Sequence, residues 1–552
     1  MTNAPAAADA REPQPALAVE APPLRARGVR STWAALAVVL FLASVGNLRL
    51  WQAVATGPQA VSWPVIAAAF LVLVALYDLV LQAVALPWLL KPLGAALLIV
   101  SAVTSQVMLD HGVLIDASMI RNVFETDSRE AGELVTMRAV LFVLAVGVAP
   151  ALLLLFTRIR YGPVRKELAL RGLVVGATLL LGAVAAWLAY GDVSIAVRAN
   201  KQLRFMVNPV SPIFALCSYG AEREPGPAEA LLPVATDARR QAGGTREVVV
   251  LVLGESATAS HFSLNGYERD TNPELRARDV LNFPHVTSCG TSTAESLPCM
   301  FSNLGQANYT HRKAEARENL LDVLQRTGVT VLWRDNNSGG KGVPERVPHG
   351  TVDGPGPGPD DDPWDGALVT DLQEILDTHP GDLLVVLHQK GSHGPAYWAR
   401  TPPEWKRFLP ECSRDDLHNC PRDEIVNAYD NTILYTDHVL AQLIDLLAAR
   451  SGSAQVALLY VSDHGESLGE NGIWLHGFPL WLAPEEQTHV PMIFWASREF
   501  CAARGLGADQ LQAASQRELS HDNLFHTVLG LFDVQTTAYD PALDVFARTR
   551  SP

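Results

Sequence analysis

Positive charge is scarce where a polyanion would need it. Of 43 Lys+Arg and 58 Asp+Glu, 17 and 12 fall in residues 1–206, so the rest of the chain holds 26 against 46 and carries the net charge of −15. That distribution excludes the basic surface that nucleic acid requires. A small-residue cleavage site is missing behind the first apolar run, which excludes a removed signal peptide and leaves the run as a retained anchor. Cysteine is rare, six in all, so two closely spaced pairs stand out.

At 552 residues the chain is too long for one ordinary domain, and its composition changes sharply near residue 200. Five apolar runs, at 33–51, 63–86, 87–109, 137–157 and 172–190, each approach the ~20 residues that cross a bilayer as a helix. Arg25, Arg27 and Arg30 precede the first, Lys91 opens the third, and Arg158, Arg160, Arg165, Lys166 and Arg171 fill the loop before the fifth. This positive-inside pattern, with an acidic loop at 110–136 on the other side and an odd number of spans, puts everything after Tyr190 outside the cytoplasm. The expected organisation is a disordered cytoplasmic tail (1–30), a five-helix transmembrane domain (31–192), a linker with membrane-surface segments (193–245) and a periplasmic catalytic domain (246–552).

In the last domain, buried-strand patterns at 247–254, 329–333, 382–388 and 455–461 alternate with helical ones, which predicts an α/β fold with a parallel sheet. Polar clusters follow the strands: GES at 254–256, RDNNS at 334–338, HQKGSH at 388–393 and SDHGE at 462–466. Ligands bind outside the carboxyl ends of such strands, so these clusters are expected to meet in one site. Glu255, Asp463, His464, His393 and His476 offer the oxygen and imidazole donors that zinc takes. Any one of them alone is as readily a turn, a helix cap or a surface histidine; their convergence carries the reading.

Residues 287–302 read TSCGTSTAESLPCMFS, with five hydroxyls, Ser288, Thr291, Ser292, Thr293 and Ser296, between or beside Cys289 and Cys299. Either this is a hydroxyl-rich loop that happens to be stapled, or a nucleophile held at a helix start. Ser292 to Glu295 fits the S-x-x-E capping pattern, which places Thr293 where backbone N–H groups favour a phosphate. A threonine hydroxyl is a poor nucleophile unless something lowers its pKa, and direct coordination to zinc does so. Cys289 with Cys299, and Cys412 with Cys420, are spaced for small disulfide loops in an oxidising compartment, with reduced structural thiols as the alternative; Cys217 and Cys501 have no evident partner.

Taken together, GES (254–256), SCGTSTA (288–294) with PCMFS (298–302), RDNNS (334–338) with KGV (341–343), GSHGPAY (391–397), SDHGESLGE (462–470) and LHG (475–477) resemble the phosphoethanolamine transferases that modify lipid A. That family belongs to the alkaline phosphatase and sulfatase superfamily and includes the mobile colistin-resistance enzymes. The resemblance implies Thr293 as nucleophile, with Glu255, Asp463 and His464 sharing a zinc ion with it. It implies His393 and His476 at a second zinc or the substrate phosphate, and Asn337 and Lys341 against the phosphoethanolamine. MIRNVFETD at 119–127 is similar to the family's membrane-domain motif and makes Asn122, Thr126 and Glu130 candidates for gripping the lipid. The implied reaction moves phosphoethanolamine from phosphatidylethanolamine to a lipid A phosphate in the bacterial inner membrane, carried out by a monomer, and it lowers polymyxin binding. The rivals are a transferase acting on the lipopolysaccharide core, another glycan or a protein, and a hydrolase of the sulfatase or phosphatase kind. No Cys/Ser-x-Pro-x-Arg motif surrounds Thr293, which counts against a sulfatase, and the complete ligand set counts against a non-catalytic lipid sensor. The chain departs from relatives at 354–362, GPGPGPDDD, where some of them carry a disulfide.

Overall fold

The structure, a computed structural model, describes residues 28–56, 61–126, 128–190, 201–223, 231–240, 244–357 and 363–547. Most of the expected tail, much of the expected linker and residues 358–362 of the Gly-Pro tract lie outside these residues.

The N-terminal half is helical: α1 (Ser31–Thr56), α2 (Trp63–Ala83), α3 (Leu90–His111), the short α4 (Ala117–Glu125) and α5 (Ser128–Glu133), then α6 (Met137–Phe156) and α7 (Val164–Leu188). Five of these, α1, α2, α3, α6 and α7, are long and apolar enough to cross a membrane. The last begins eight residues before the apolar run does, because the charges ahead of that run are satisfied inside the bundle. The Glu167 carboxylate accepts from the Ser31 hydroxyl and from Gly162 N at 3.1 Å, and Arg171 donates to Gln82 O at 3.2 Å and Ala85 O at 2.6 Å. In α6 the turn Val143–Val148 widens to π geometry just ahead of Pro150, which has no N–H to continue the ordinary ladder.

Beyond α7 a 3-10 turn (Lys201–Met206) leads into α8 (Val210–Arg223), which leaves Val210, Ile213, Phe214 and Leu216 exposed. The C-terminal half is built on β1 (Arg246–Gly254), β2 (Leu281–Phe283), β3 (Thr330–Asp335), β4 (His349–Thr351), β5 (Leu383–His388), β6 (Ala454–Ser462) and β7 (Met492–Ala496). They form one seven-stranded sheet in the order β2-β7-β6-β1-β5-β3-β4. Its five strands from β6 to β4 run parallel, and β7 lies antiparallel to both β2 and β6. The central β1 reads as an unbroken apolar run because both faces are covered: Val249, Leu251 and Leu253 enter one core, Val248, Val250 and Val252 the other. Each such side chain contributes about 1.5–3 kcal/mol by leaving water. Helices flank the sheet, among them α9 (Thr293–Met300), α10 (His311–Glu315), α11 (Gly366–Thr378) and α12 (Arg422–Ala448).

The two halves touch through named polar contacts. Lys341 Nζ donates to Glu125 O at the end of α4 (3.1 Å), Arg400 meets Glu133 of α5 (2.7 Å), and His418 Nε2 lies 2.7 Å from Asp110 O at the end of α3. Arg121 of α4 pairs with Glu295 of α9, and Phe124 stacks on Tyr219 of α8 with ring centroids 5.3 Å apart.

Candidate metal centre and nucleophile

Four strand ends deliver the site. β1 stops at Gly254, where any side chain would collide with the Tyr460 ring, and the chain then turns through Ser256 at φ 55. That left-handed conformation costs a non-glycine residue on the order of 1 kcal/mol. It is held by Ser256 N donating to Asp463 Oδ1 (3.3 Å) and by Tyr429 OH donating to Ser256 O (2.7 Å). Glu255 is thereby fixed, fully buried, against Asp463 and His464 from the end of β6.

The donor atoms of Glu255, Asp463 and His464 lie within 4.8 Å of one another. His464 Nε2 is 3.1 Å from Glu255 Oε1 and 3.5 Å from Asp463 Oδ2. His464 Nδ1 donates to Gly465 O (2.9 Å), which leaves Nε2 to face the carboxylates. Burial would lower the His464 imidazole, but Asp463 and Glu255 carry it up to about 10. Burial together with the Glu255 charge pushes the Asp463 carboxyl up, whereas at Glu255 the imidazoles of His464, His393 and His476 outweigh burial and hold the carboxyl well below its usual range. Asp463 Oδ2 is buried without a hydrogen-bond partner among the described residues. Two carboxylates, an imidazole nitrogen and an orphaned oxygen converging on one point fit a divalent cation of the zinc type.

Thr293 opens α9 as its first helical residue, with Ser292 as an extended cap. Its Oγ1 is 2.8 Å from Glu255 Oε2 and 3.5 Å from His464 Nε2. The expected capping box is absent: Ser292 makes no side-chain cap bond, and Glu295 is drawn instead to Arg121. Asn337 joins the same group, its Nδ2 2.8 Å from Glu255 Oε2 and 3.0 Å from Gln389 O. A second set of donors, His464, Glu466 and His476, lies beside the first; His476 Nδ1 is 2.8 Å from Glu466 Oε2, and the His393 ring centroid is 5.4 Å from that of His476.

The remaining candidates are placed less centrally. Lys341 reaches Glu125 O, Ser338 O and Ser338 Oγ, each at 3.1 Å, so it bridges the two halves instead of joining the carboxylates. Asn122 lies against Gly477, next to His476, while the Thr126 hydroxyl bonds its own helix at Asn122 O (2.6 Å). The side chain of Glu130 lies outside the described residues. Cys412 and Cys420 are bonded, but Cys289 and Cys299 are separate buried thiols. Spacing limits how far apart two α-carbons can be, not where their sulfurs point. Here Cys289 Sγ lies 3.6 Å from Ser296 O, and its thiol is pushed up by burial and by Cys299 beside it. The loop is instead tied down by His521, which burial lowers to about 4: its Nδ1 accepts from Cys289 N (3.2 Å), so Nε2 carries the proton that goes to Ser462 O (2.9 Å).

Sequence reasoning missed the layer behind Asn337. Asp335 and His388 are paired in register at the ends of β3 and β5, 3.0 Å apart, and His388 Nε2 lies 3.2 Å from Asn337 Nδ2. Asp335 also accepts from Trp333 Nε1 (2.8 Å) and from Asn337 N (2.8 Å). Both residues stood in the polar clusters after neighbouring strands, so the strand order would have exposed them.

Residues 73–223 match the family described as Phosphoethanolamine transferase EptA/EptB, and residues 247–534 match Sulfatase. Phosphoethanolamine transferase EptA of Salmonella typhimurium is 40% identical over 473 residues, 84% of this chain and 86% of that protein. Phosphatidylethanolamine transferase Mcr-1 of Escherichia coli is 39% identical over 466 residues, 81% and 84% of the two chains. Among solved structures, the integral membrane protein lipooligosaccharide phosphoethanolamine transferase A of Neisseria meningitidis superposes with a TM-score of 0.89 at 34% identity, over 95% of this chain and 100% of that one. With its helical membrane half, its sulfatase-like sheet and relatives alike along most of their length, the chain belongs to the phosphoethanolamine transferase family of the sulfatase superfamily.

Proposed function

We propose that this chain is a zinc-dependent transferase that moves phosphoethanolamine from phosphatidylethanolamine to a lipid A phosphate, with Thr293 as the nucleophile and the C-terminal half on the periplasmic face of the inner membrane. One observation carries the reading: the Thr293 hydroxyl, at the start of α9, lies 2.8 Å from Glu255 and 3.5 Å from His464, within the cluster that fits a divalent cation. The donor and acceptor agree with the names of relatives, a phosphatidylethanolamine transferase in one case and a lipooligosaccharide phosphoethanolamine transferase in another. The domain limits read from the sequence, 31–192, 193–245 and 246–552, go with this assignment.

Glu255, Asp463, His464 and Thr293 would hold the ion, which lowers the hydroxyl pKa and neutralises charge on the phosphoryl group. Thr293 Oγ1 attacks the donor phosphorus and its proton passes to the departing diacylglycerol oxygen. The bond from phosphorus to the diacylglycerol oxygen breaks, and diacylglycerol leaves with a proton. The oxygen of a protonated acceptor phosphate then attacks the same phosphorus, the bond to Oγ1 breaks, and the acceptor's proton passes to Oγ1, returning the threonine hydroxyl. Asn337 steadies Glu255, and His393 and His476 line the space for the phosphate or a second zinc ion.

The first half needs no acceptor. Protein incubated with phosphatidylethanolamine alone should carry a phosphoethanolamine adduct on the Thr293 peptide, and Thr293→Ala should abolish both adduct and diacylglycerol release. Turnover by Thr293→Ala, or an adduct on Ser292 or Ser296, would assign the wrong hydroxyl.

A further inference from the structure

A cavity of about 690 Å³ is walled by Arg121 of α4, Ala221 of α8, Glu295 of α9 and the segment carrying Arg312, Lys313 and Arg317. Its charge balance runs against the rest of the C-terminal half. Arg121 and Glu295 answer one another, but no carboxylate among the described residues lies within ion-pair distance of Arg312, Lys313 or Arg317. Lys313 Nζ donates to Asn308 O (3.0 Å) and Arg317 to Lys313 O (3.0 Å) and Asn303 Oδ1 (3.4 Å), neutral acceptors that leave the positive charge in place. The Arg312 guanidinium is exposed and makes no hydrogen bond among the described residues. Three cations without an ion-pair partner among the described residues stand here, although residues 207–552 hold 46 acidic side chains against 26 basic ones.

The surroundings say what sort of anion fits. Leu232 is exposed at the cavity wall, with its N bonded to Ala316 O (2.8 Å), and α8, which supplies Ala221 to the wall, leaves Val210, Ile213 and Phe214 exposed further along the helix. Cations bordered by outward apolar side chains suit a phosphate at a bilayer surface. Glu295 stands two residues from Thr293 on α9, so an anion here sits one helix face away from the reacting phosphorus.

We infer that this cavity binds a lipid-borne phosphate group while another phosphate is held at Thr293. Its source is the second phosphate of a bisphosphorylated glycolipid acceptor or the headgroup of an anionic phospholipid beside it. The inference rests on the transferase reading, and its test does not depend on turnover.

Full-length protein in phosphatidylcholine nanodiscs is titrated with bisphosphorylated lipid A, with its monophosphoryl form and with phosphatidylglycerol, and Kd is read for wild type, the double variant Arg312→Gln/Lys313→Gln and Arg312→Lys. The double variant should bind its preferred phosphate lipid about tenfold more weakly, as expected for lost charge-assisted bonds, while Arg312→Lys stays near wild type. Loss confined to the bisphosphorylated glycolipid identifies the acceptor; loss confined to phosphatidylglycerol identifies the phospholipid. Unchanged Kd values for all three lipids overturn the inference. The Thr293 adduct formed from phosphatidylethanolamine alone is measured separately in wild type, so a failed nucleophile and a failed cavity give different results.

Discussion

The Arg121–Glu295 pair joins a membrane-half helix to the helix that carries Thr293, and its worth can be measured. The side chains are 6% and 24% exposed, so Glu295→Gln leaves a nearly buried guanidinium facing a neutral amide. Unit charges about 4 Å apart near a protein surface attract by about 4 kcal/mol at an effective dielectric of 20, and desolvation offsets much of that. A coupling energy of about 1–3 kcal/mol is therefore expected from the cycle Glu295→Gln, Arg121→Gln and the double variant. Because α9 would lose its registration against α4, the coupling should appear in the rate of adduct formation on Thr293 from phosphatidylethanolamine, where about 1.4 kcal/mol is tenfold. The assay is single-turnover adduct formation in vesicles, with thermal unfolding as a parallel reading. Each single substitution should slow the step, and the double variant should be less impaired than the product of the two. Additivity within about 0.5 kcal/mol would refute the reasoning and reduce the pair to a surface contact.

Asp463→Ala and His464→Ala should each release zinc, measured by elemental mass spectrometry, and abolish transfer; full activity in a rigorously metal-free preparation would contradict the metal role. Gly391→Ala should destabilise by about 1–3 kcal/mol and weaken metal retention, since Gly391 sits at φ 54 and an added Cβ would lie 2.7 Å from Glu255 O; an unchanged melting curve with full zinc content would contradict this. Asp437, which accepts Glu274 N (2.9 Å) and Leu275 N (3.0 Å) from inside α12, is raised by burial from 3.8 to about 7. A folded-state value above the unfolded one contributes stability that is full below about pH 4 and is lost as pH rises through 7. Asp437→Asn, which keeps one acceptor for these two N–H groups, should remove this pH dependence, so its stability relative to wild type should rise by up to about 4 kcal/mol between pH 4 and pH 8; pH-resolved denaturation checks the slope.

The fold was legible where physics is local. Five apolar runs had to be helices in lipid, and the run from Val248 to Leu253 had to be a strand covered on both faces. Glu255, Asp463 and His464 were readable together because each follows a strand end, and parallel strands bring their carboxyl ends to one edge. Contacts across long sequence separations were not legible. Glu295 matched a capping box until Arg121, 174 positions earlier, took its carboxylate. The Asp335–His388 pair needed the neighbouring order of β3 and β5, and the start of α7 depended on Glu167 finding Ser31. The thiols of Cys289 and Cys299 depended on side-chain direction, which spacing does not encode.

The polar contacts between the halves, Lys341 on Glu125 O, Arg400 on Glu133 and His418 on Asp110, act together as a ruler. All three grip the ends of α3, α4 and α5, so they set the height and tilt at which the sheet edge faces the bilayer. With phosphatidylethanolamine as the proposed donor, a C-terminal half cut free of its helices would keep the sequence of every donor in the cation cluster, yet it would meet that lipid only by random encounter from solution. Attachment replaces that search with a fixed standoff, and the effective concentration of lipid headgroups at Thr293 becomes a property of the protein's geometry instead of its affinity.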